Sequence, residues 1–564
     1  MTMTSLAGIA AAAWRSVTSW RRALGRLQAC SLAALLLLAA TLAGASPAAA
    51  QQRGEPVVAT RDGLLRGVSA EAADEFLGIP YAAPPVGPLR WQAPRPYPPW
   101  AGIRSAAAYG SQCPQLDSQD GKGGDNENCL FLNVFTPPGY SQATAGRLPV
   151  LFWIHGGMLL HGASDLYDGS LIARTQHVIV VTINYRLGAF GFLDVPGLGT
   201  SPLTASGNYG LLDQEAALGW VHGNIAAFGG DPGRVTIAGE SAGGWSVCAL
   251  LTSPRARGLF GGAIMESASC ASRTGAQAQT IGQQLAVAVG CTSPATAAAC
   301  LRATPAARLL SASAGAATAL PTAHEVEFTA GGPDLPLPPA QAVADGDYAR
   351  VPLLIGTNHD EARYFTQPFA AMGEQYYDTV IAQTYGPLAP AILARYPWSS
   401  YPSQYTTAYA LGAVFTDSGY FYGIGGCTEQ NLAARFAATT PTFFYQFDDE
   451  NAPAENDQLP GFQWGAEHTE ELGYLWPTYD PYGTDLYDRL SSPQLRLSGQ
   501  MIAWWGAFSR LRVPAASGQP AWPDYRSGLL MSLRPGGQSQ VITAATFGAQ
   551  HQCQFWDAYP AALG

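Results

Sequence analysis

Six short runs, nearly all apolar, restrict most strongly what this chain can fold into. They are RLPVLFWIHGG (147–157), HVIVVTINYR (177–186), RVTIAGES (234–241), GAIMES (262–267), VPLLIGTN (351–358) and PTFFYQFD (441–448). A strand with one wet face alternates apolar and polar residues. A strand apolar at every position must be covered on both faces. Among these runs, GLLDQEAALGWVHGNIAAFGG (210–230) carries apolar residues at helical spacing and stops at glycines. Strand alternating with helix predicts an α/β architecture, a large and mostly parallel central sheet flanked by helices. No internal repeat or long low-complexity linker divides the chain, so one large domain with insertions is expected over 51–564. The Ala/Ser/Thr-rich stretch at 311–322 reads as a surface excursion.

The first fifty residues stand apart. Arg15, Arg21, Arg22 and Arg26 precede an apolar run at roughly 32–42, and AGASPAAA follows, with no acid anywhere. That order reads as a secretory signal cut near Ala50. The apolar run is short for a full membrane span, so no anchor is expected after cleavage and the mature chain is secreted or periplasmic. Without those four arginines, 26 basic residues face 41 acidic ones. No basic patch remains for a phosphate backbone, and nucleic-acid binding is not expected. Of nine cysteines, all but Cys30 stay in the exported chain, a setting that permits disulfides. No Cys-x-x-Cys occurs among them, so neither a zinc ribbon nor a thioredoxin-like centre is indicated.

RVTIAGESAGGWSV (234–247) puts Gly-Glu-Ser-Ala-Gly where an apolar strand ends and small residues begin. In an α/β sheet, reactive groups collect at the C-terminal strand edges. A serine held on a strained strand-to-helix turn needs glycines beside it, because bulk there would clash. Ser241 is therefore the candidate nucleophile, and the Ala242 N–H points to where an oxyanion would form. A second strand end, WIHGGMLLHG (153–162), offers the N–H groups of Gly157 and Met158 for the same charge. The single lysine, Lys122, forms no Ser-x-x-Lys, which excludes lysine-assisted serine chemistry. The base is then a histidine. His468, in GAEHTEELGYLW (465–476), and His551 both follow the last acid-bearing strand, and spacing favours His468 only slightly. Asp360 and Glu361 are adjacent in LLIGTNHDEARYF (353–365), and the local pattern does not choose between them as the acid.

FLGIPYAAPPVGPLRW (76–91), ENCLFLNVFTP (127–137), INYRLGAFGFL (183–193), the stretch 207–244 and GAEHTEELGYLW closely resemble type-B carboxylesterases, from about Val57 to the end. The resemblance implies an α/β-hydrolase fold whose insertions form an active-site gorge. It implies hydrolysis of small-molecule carboxylic esters without cofactor or metal. It also implies a triad of Ser241, Glu361 and His468, with oxyanion donors at Gly157, Met158 and Ala242. The family more often has a third glycine where Met158 stands. The resemblance pairs Cys113 with Cys129, Cys291 with Cys300 and Cys427 with Cys553, leaving Cys248 and Cys270 free. It further implies structural ion pairs Arg90–Glu127 and Arg186–Asp213, and places Glu471 and Ser267 beside the histidine. The loop PQLDSQDGKGGDNEN (114–128) has no aromatic residue, so the cation–π site of cholinesterases is missing and choline-ester specificity is not expected. Tyr364 and Phe365 remain to line the gorge, and Trp245 stands where small residues are usual. Two rival readings share the resemblance. One is a non-catalytic cholinesterase-like binding protein, which typically loses a triad residue, whereas none is missing here. The other is a lactonase or amidase using the same triad.

Overall fold

The computed structural model describes residues 55–70, 72–118, 122–140, 146–198, 207–314, 326–454 and 459–559. The export segment expected at 1–50 lies outside them. Each of the six apolar runs is a strand of one eleven-stranded sheet. In chain order its strands are β1 (Val68–Ser69), β2 (Asp74–Pro80), β3 (Phe131–Thr136), β4 (Leu148–Ile154), β5 (Ile179–Ile183), β6 (Gly230–Glu240), β7 (Gly262–Glu266), β8 (Leu353–Asn358), β9 (Thr442–Phe447), β10 (Leu529–Leu533) and β11 (Gln540–Thr543). Across the sheet they run β11-β10-β9-β8-β7-β6-β4-β5-β3-β2-β1. From β10 through to β5 every neighbouring pair is parallel. The two margins, β11 on one side and β3, β2 and β1 on the other, are antiparallel. A separate three-stranded sheet joins Val57–Ala59, Leu64–Arg66 and Ile103–Ser105.

The lack of alternation in the central runs has a direct cause. Val150, Phe152 and Ile154 of β4 pack into one apolar cluster with Leu211, Val247 and Phe436. Leu151 and Trp153 of the same strand pack into another with Leu497, Met501 and Trp505. The first cluster lies under helices α1 (Tyr209–Asn224), α2 (Ala242–Thr252) and α3 (Gly426–Ala437), and the second under α4 (Ser492–Leu511). Each buried Val, Leu, Ile or Phe contributes about 1.5–3 kcal/mol relative to exposure. The described residues cluster as one unit. No helix among the described residues is long and apolar enough to cross a membrane.

The stretch expected at the surface, 311–322, begins with an exposed Ser311 inside a helix, Ala306–Ala314, and its remainder lies outside the described residues. One sequence expectation changes: Cys248 and Cys270 are not free. They are joined, with Cα atoms 5.5 Å apart. The reason is the approach of α2 to the segment after β7. A Cβ on Gly244 would sit 2.3 Å from the Ala268 side chain, so only a glycine lets the helix come this close. Cys248 one turn on then faces Cys270. The other three bonds join Cys113 to Cys129, Cys291 to Cys300 and Cys427 to Cys553.

Candidate active site

β6 ends at Glu240, and α2 begins at Ala242. Between them Ser241 takes φ 54° and ψ −124°, a positive-φ conformation outside the ordinary regions for a residue with a side chain. The turn is this tight because the helix start lies against β4: a Cβ on Gly243 would fall 2.0 Å from the Ile154 carbonyl oxygen. Ser241 also caps α2, whose first N–H groups have no partner within the helix, and Ala242 carries one of them.

The segment after β9 brings His468 back across the sheet edge. Its Nε2 lies 3.0 Å from Ser241 Oγ, and its Nδ1 lies 2.7 Å from Glu361 Oε2. A neutral imidazole donating Nδ1–H to a carboxylate leaves Nε2 as an acceptor for the serine proton. Glu361 Oε1 accepts from the Asn358 N–H at 2.7 Å and from the Thr357 hydroxyl at 3.0 Å. All three groups are buried. Ser267 Oγ donates to Glu471 at 3.2 Å, and Asn358 donates to the other Glu471 oxygen at 2.5 Å. Burial, with Glu361 nearby, pushes the Glu471 carboxyl up to about 7. Ring contacts hold the base from its open side: Phe365 lies 5.1 Å from the His468 ring centre and Tyr364 6.2 Å.

The open alternatives separate by geometry. The Asp360 carboxyl pairs with Arg363 at 2.8 Å and His359 at 3.2 Å, and accepts from the Ala466 N–H. Burial opposes its charge, but those two cations outweigh burial and hold it below the usual carboxylate range. His551 is fixed elsewhere, between Asp417 at 2.9 Å and Gln446 at 3.0 Å. Glu361 and His468 are the pair that meets Ser241.

At the facing turn, Gly157, Met158 and Leu159 all have positive φ, 95°, 55° and 59°. Gly157 and Met158 line the same small cavity as Ser241 and His468, about 40 Å³ in volume, with Tyr364 and Phe365 opposite. Arg90 with Glu127 and Arg186 with Asp213 (2.7 Å) are ion-paired, and both pairs lie off this cavity. Trp245 is buried and packs against Tyr422 at 4.9 Å.

Some neighbours were not foreseen. Glu240 Oε1 lies 3.3 Å from His468 Nε2, placing a second carboxylate beside the base. It lies within the quoted serine motif, but nothing in the pattern says which way it faces. Thr357 and Asn358 looked like strand packing. The one group of candidate metal ligands among the described residues is His359, Asp448 and Glu450, whose ligand atoms lie within 4.8 Å of one another. Asp448 already binds Arg534 and Ser532, and His359 binds Asp360, so the cluster is a charge network compensated by its own side chains.

A mostly parallel sheet covered on both faces, with a serine on the strand-to-helix bend and a histidine and acid brought to it from later strands, defines an α/β-hydrolase. The comparisons give the family. The carboxylesterase family model matches residues 54–556, and the chain belongs to that family as a carboxylic-ester hydrolase. Fumonisin B1 esterase of Sphingopyxis macrogoltabida is 34% identical over 90% of this chain and 91% of its own length. Para-nitrobenzyl esterase of Bacillus subtilis (strain 168) is 40% identical over 61% of this chain and 71% of its own. Among solved structures, a thermophilic pNB esterase matches with a TM-score of 0.75 at 30% identity, covering 88% of this chain and all of that one. A pNB esterase matches at 0.72 and 32%, with the same coverage.

Proposed function

We propose that this chain hydrolyses carboxylic esters through an acyl-enzyme on Ser241. The observation that supports it most is His468 bridging Ser241 and Glu361 at 3.0 and 2.7 Å, with Ser241 and His468 lining one cavity. His468 Nε2 takes the serine proton as Oγ adds to the ester carbonyl carbon. The N–H groups of Gly157, Met158 and Ala242 receive the oxyanion. The imidazolium then gives its proton to the departing alcohol oxygen, leaving the acyl group on Ser241. Water repeats the sequence, releasing the acid and regenerating the hydroxyl. Throughout, Glu361 holds the ring in the tautomer that leaves Nε2 free to accept, and it stabilises the charged form. The substrates are small esters, and the four disulfides fit a chain exported by its first fifty residues. Ser241→Ala is expected to abolish p-nitrophenyl acetate hydrolysis and labelling by a fluorophosphonate. A purified, folded variant that keeps the wild-type rate would remove the nucleophile assignment.

A further inference from the structure

The turn after β4 keeps a side chain where its backbone favours glycine. Met158 and Leu159 lie at φ 55° and 59°, directly after Gly157 at 95°. A side chain at such a φ costs energy that glycine avoids, and an outlier of this kind points to function. Leu159 has a structural reason for its place: it is 0% exposed and packs into the apolar cluster under α1 and α2. Met158 has no such reason. It is half-buried and belongs to none of the apolar clusters among the described residues. Instead it lines the cavity of Ser241 and His468. The turn itself is held firmly. The Gly157 carbonyl accepts from the N–H groups of Leu160 at 2.9 Å and His161 at 3.0 Å, and the Leu159 carbonyl accepts from Gly188 at 2.7 Å.

The cavity is small, about 40 Å³, which is room for about three water-sized groups at roughly 10–15 Å³ each. Part of its wall is rigid. Tyr167 and Tyr479 are buried and stacked with ring centres 5.5 Å apart. Tyr167 is held in turn against Trp153 at 5.4 Å and Trp476 at 5.5 Å. Tyr364 and Phe365, beside His468, are only half-buried. The tetrahedral adduct divides this space. Its oxyanion lies at the N–H groups of Gly157, Met158 and Ala242. Its alcohol oxygen must meet His468 Nε2 to receive a proton, so the alcohol lies toward Tyr364 and Phe365, the partly open side. The acyl chain takes the remaining corner, away from the imidazole and beside the oxyanion turn. Of the consecutive turn residues that line the cavity, Gly156, Gly157 and Met158, only Met158 has a side chain.

We propose that Met158 determines acyl-chain specificity: its side chain closes the acyl corner, so the enzyme takes esters of short acids, acetate to butyrate, and turns away longer chains. The alcohol side carries no such limit. The strained backbone at 158 is then the cost of placing a wall where glycine would leave space. This inference names the substrate class of the proposed site and rests on the acyl-enzyme reading above.

The test measures kcat/KM of wild type, Met158→Gly and Met158→Phe on p-nitrophenyl acetate, butyrate and octanoate, with folding checked by circular dichroism. Wild type is expected to lose about tenfold or more between butyrate and octanoate, the scale on which a pocket rejects surplus methylenes. Glycine suits the backbone at 158, so Met158→Gly is expected to raise the octanoate-to-acetate ratio about tenfold or more. Met158→Phe is expected to lower the butyrate-to-acetate ratio about threefold or more. The ratios carry the test because a disturbed oxyanion turn slows every ester alike and cancels. A second series, ethyl and octyl acetate, varies the alcohol instead, and there Met158→Gly is expected to move the ratio less than about twofold. A wild-type enzyme indifferent to acyl length would overturn the proposal. So would an unmoved acyl ratio in either folded variant, or a change as large in the alcohol series. Should one variant fail to fold, the other decides. Fluorophosphonate labelling of wild type and its loss in Ser241→Ala test the acyl-enzyme reading separately, so the two ideas fail independently.

Discussion

A single methyl group is enough to disturb the turn that faces the nucleophile. Gly157 sits at φ 95°, and a Cβ there would lie 2.2 Å from the His161 carbonyl oxygen. That carbonyl belongs to backbone, so the clash is relieved only by moving the turn. Met158 and Leu159 show that left-handed backbone with a side chain is tolerated next door, at about 1–2 kcal/mol each. What Gly157 cannot tolerate is the contact. Gly157→Ala is therefore expected to displace the Gly157 and Met158 N–H groups and lower kcat by about 10²–10³, the usual cost of a lost oxyanion donor, with KM changed only slightly. Steady-state kinetics on p-nitrophenyl acetate check this, and an unchanged kcat would show that these groups bind no developing charge. At this scale the sequence was uneven in what it revealed. Ser241 was legible because its strained bend demands small neighbours, and that demand is written locally. The choice of Glu361 over Asp360 came only from the family resemblance and not from the local pattern, because consecutive residues beyond β8 aim at different partners. Asp360 turns to Arg363 and His359, and Glu361 turns to His468.

Among the elements, legibility followed burial. The parallel strands β4 to β9 were readable because covering on both faces forces apolar residues at every position. The margins were not. β1 has two residues, β2 is broken by an irregularity between Phe76 and Ile79, and the strands of the three-stranded sheet have three residues each. Segments that short carry too little pattern to separate from loop. The missed disulfide has the same origin. Pairing Cys248 with Cys270 depends on how closely α2 lies against the segment after β7, a packing distance set by Gly244 and Ala268. This bond fastens the helix that Ser241 caps to the segment that starts at Ser267, and it closes a loop spanning 22 positions. Chain entropy alone assigns a loop of that size about 3 kcal/mol. Peptide mapping without reduction is expected to recover the fragments containing Cys248 and Cys270 as one linked species. Replacing both with alanine is expected to lower the unfolding free energy by about that amount in urea. Two free thiols in the wild-type protein would restore the pairing scheme that the family resemblance implied.

For the whole molecule, the buried ionisable groups set how stability changes with pH. His359 faces Asp360, Asp448 and Glu450, and its ring centre lies 5.3 Å from that of His551 at a tilt of 52°. Burial alone would lower its pKa, but Asp360, Asp448 and Glu450 overcome burial and raise it from 6.5 to about 9. A histidine whose pKa is higher folded than unfolded stabilises the fold fully below pH 6.5. That contribution disappears as pH rises through about 9. At 1.36 kcal/mol for each pKa unit it amounts to about 3 kcal/mol at most. Glu215 and Glu471 add a second slope of the same sign. Burial, the leading cause for both, raises each from 4.5 to about 7, so the folded state keeps protons that the unfolded chain has already released. Stability therefore falls between pH 4.5 and 7 on their account, and between 6.5 and 9 on account of His359. Asp360 acts oppositely, since the cations that lower its pKa are felt only above its unfolded value of 3.8. Urea unfolding midpoints are thus expected to be highest near about pH 5 and to decline steadily toward about pH 9.5. In His359→Gln the part above pH 6.5 should flatten. The variant should be less stable than wild type by up to about 3 kcal/mol at pH 6, with the difference closing near pH 9.5, because the wild-type ring is then neutral too. Parallel profiles for variant and wild type from pH 6 to 9.5 would show that the charged imidazole contributes nothing, and would place the decline in the carboxyl groups alone.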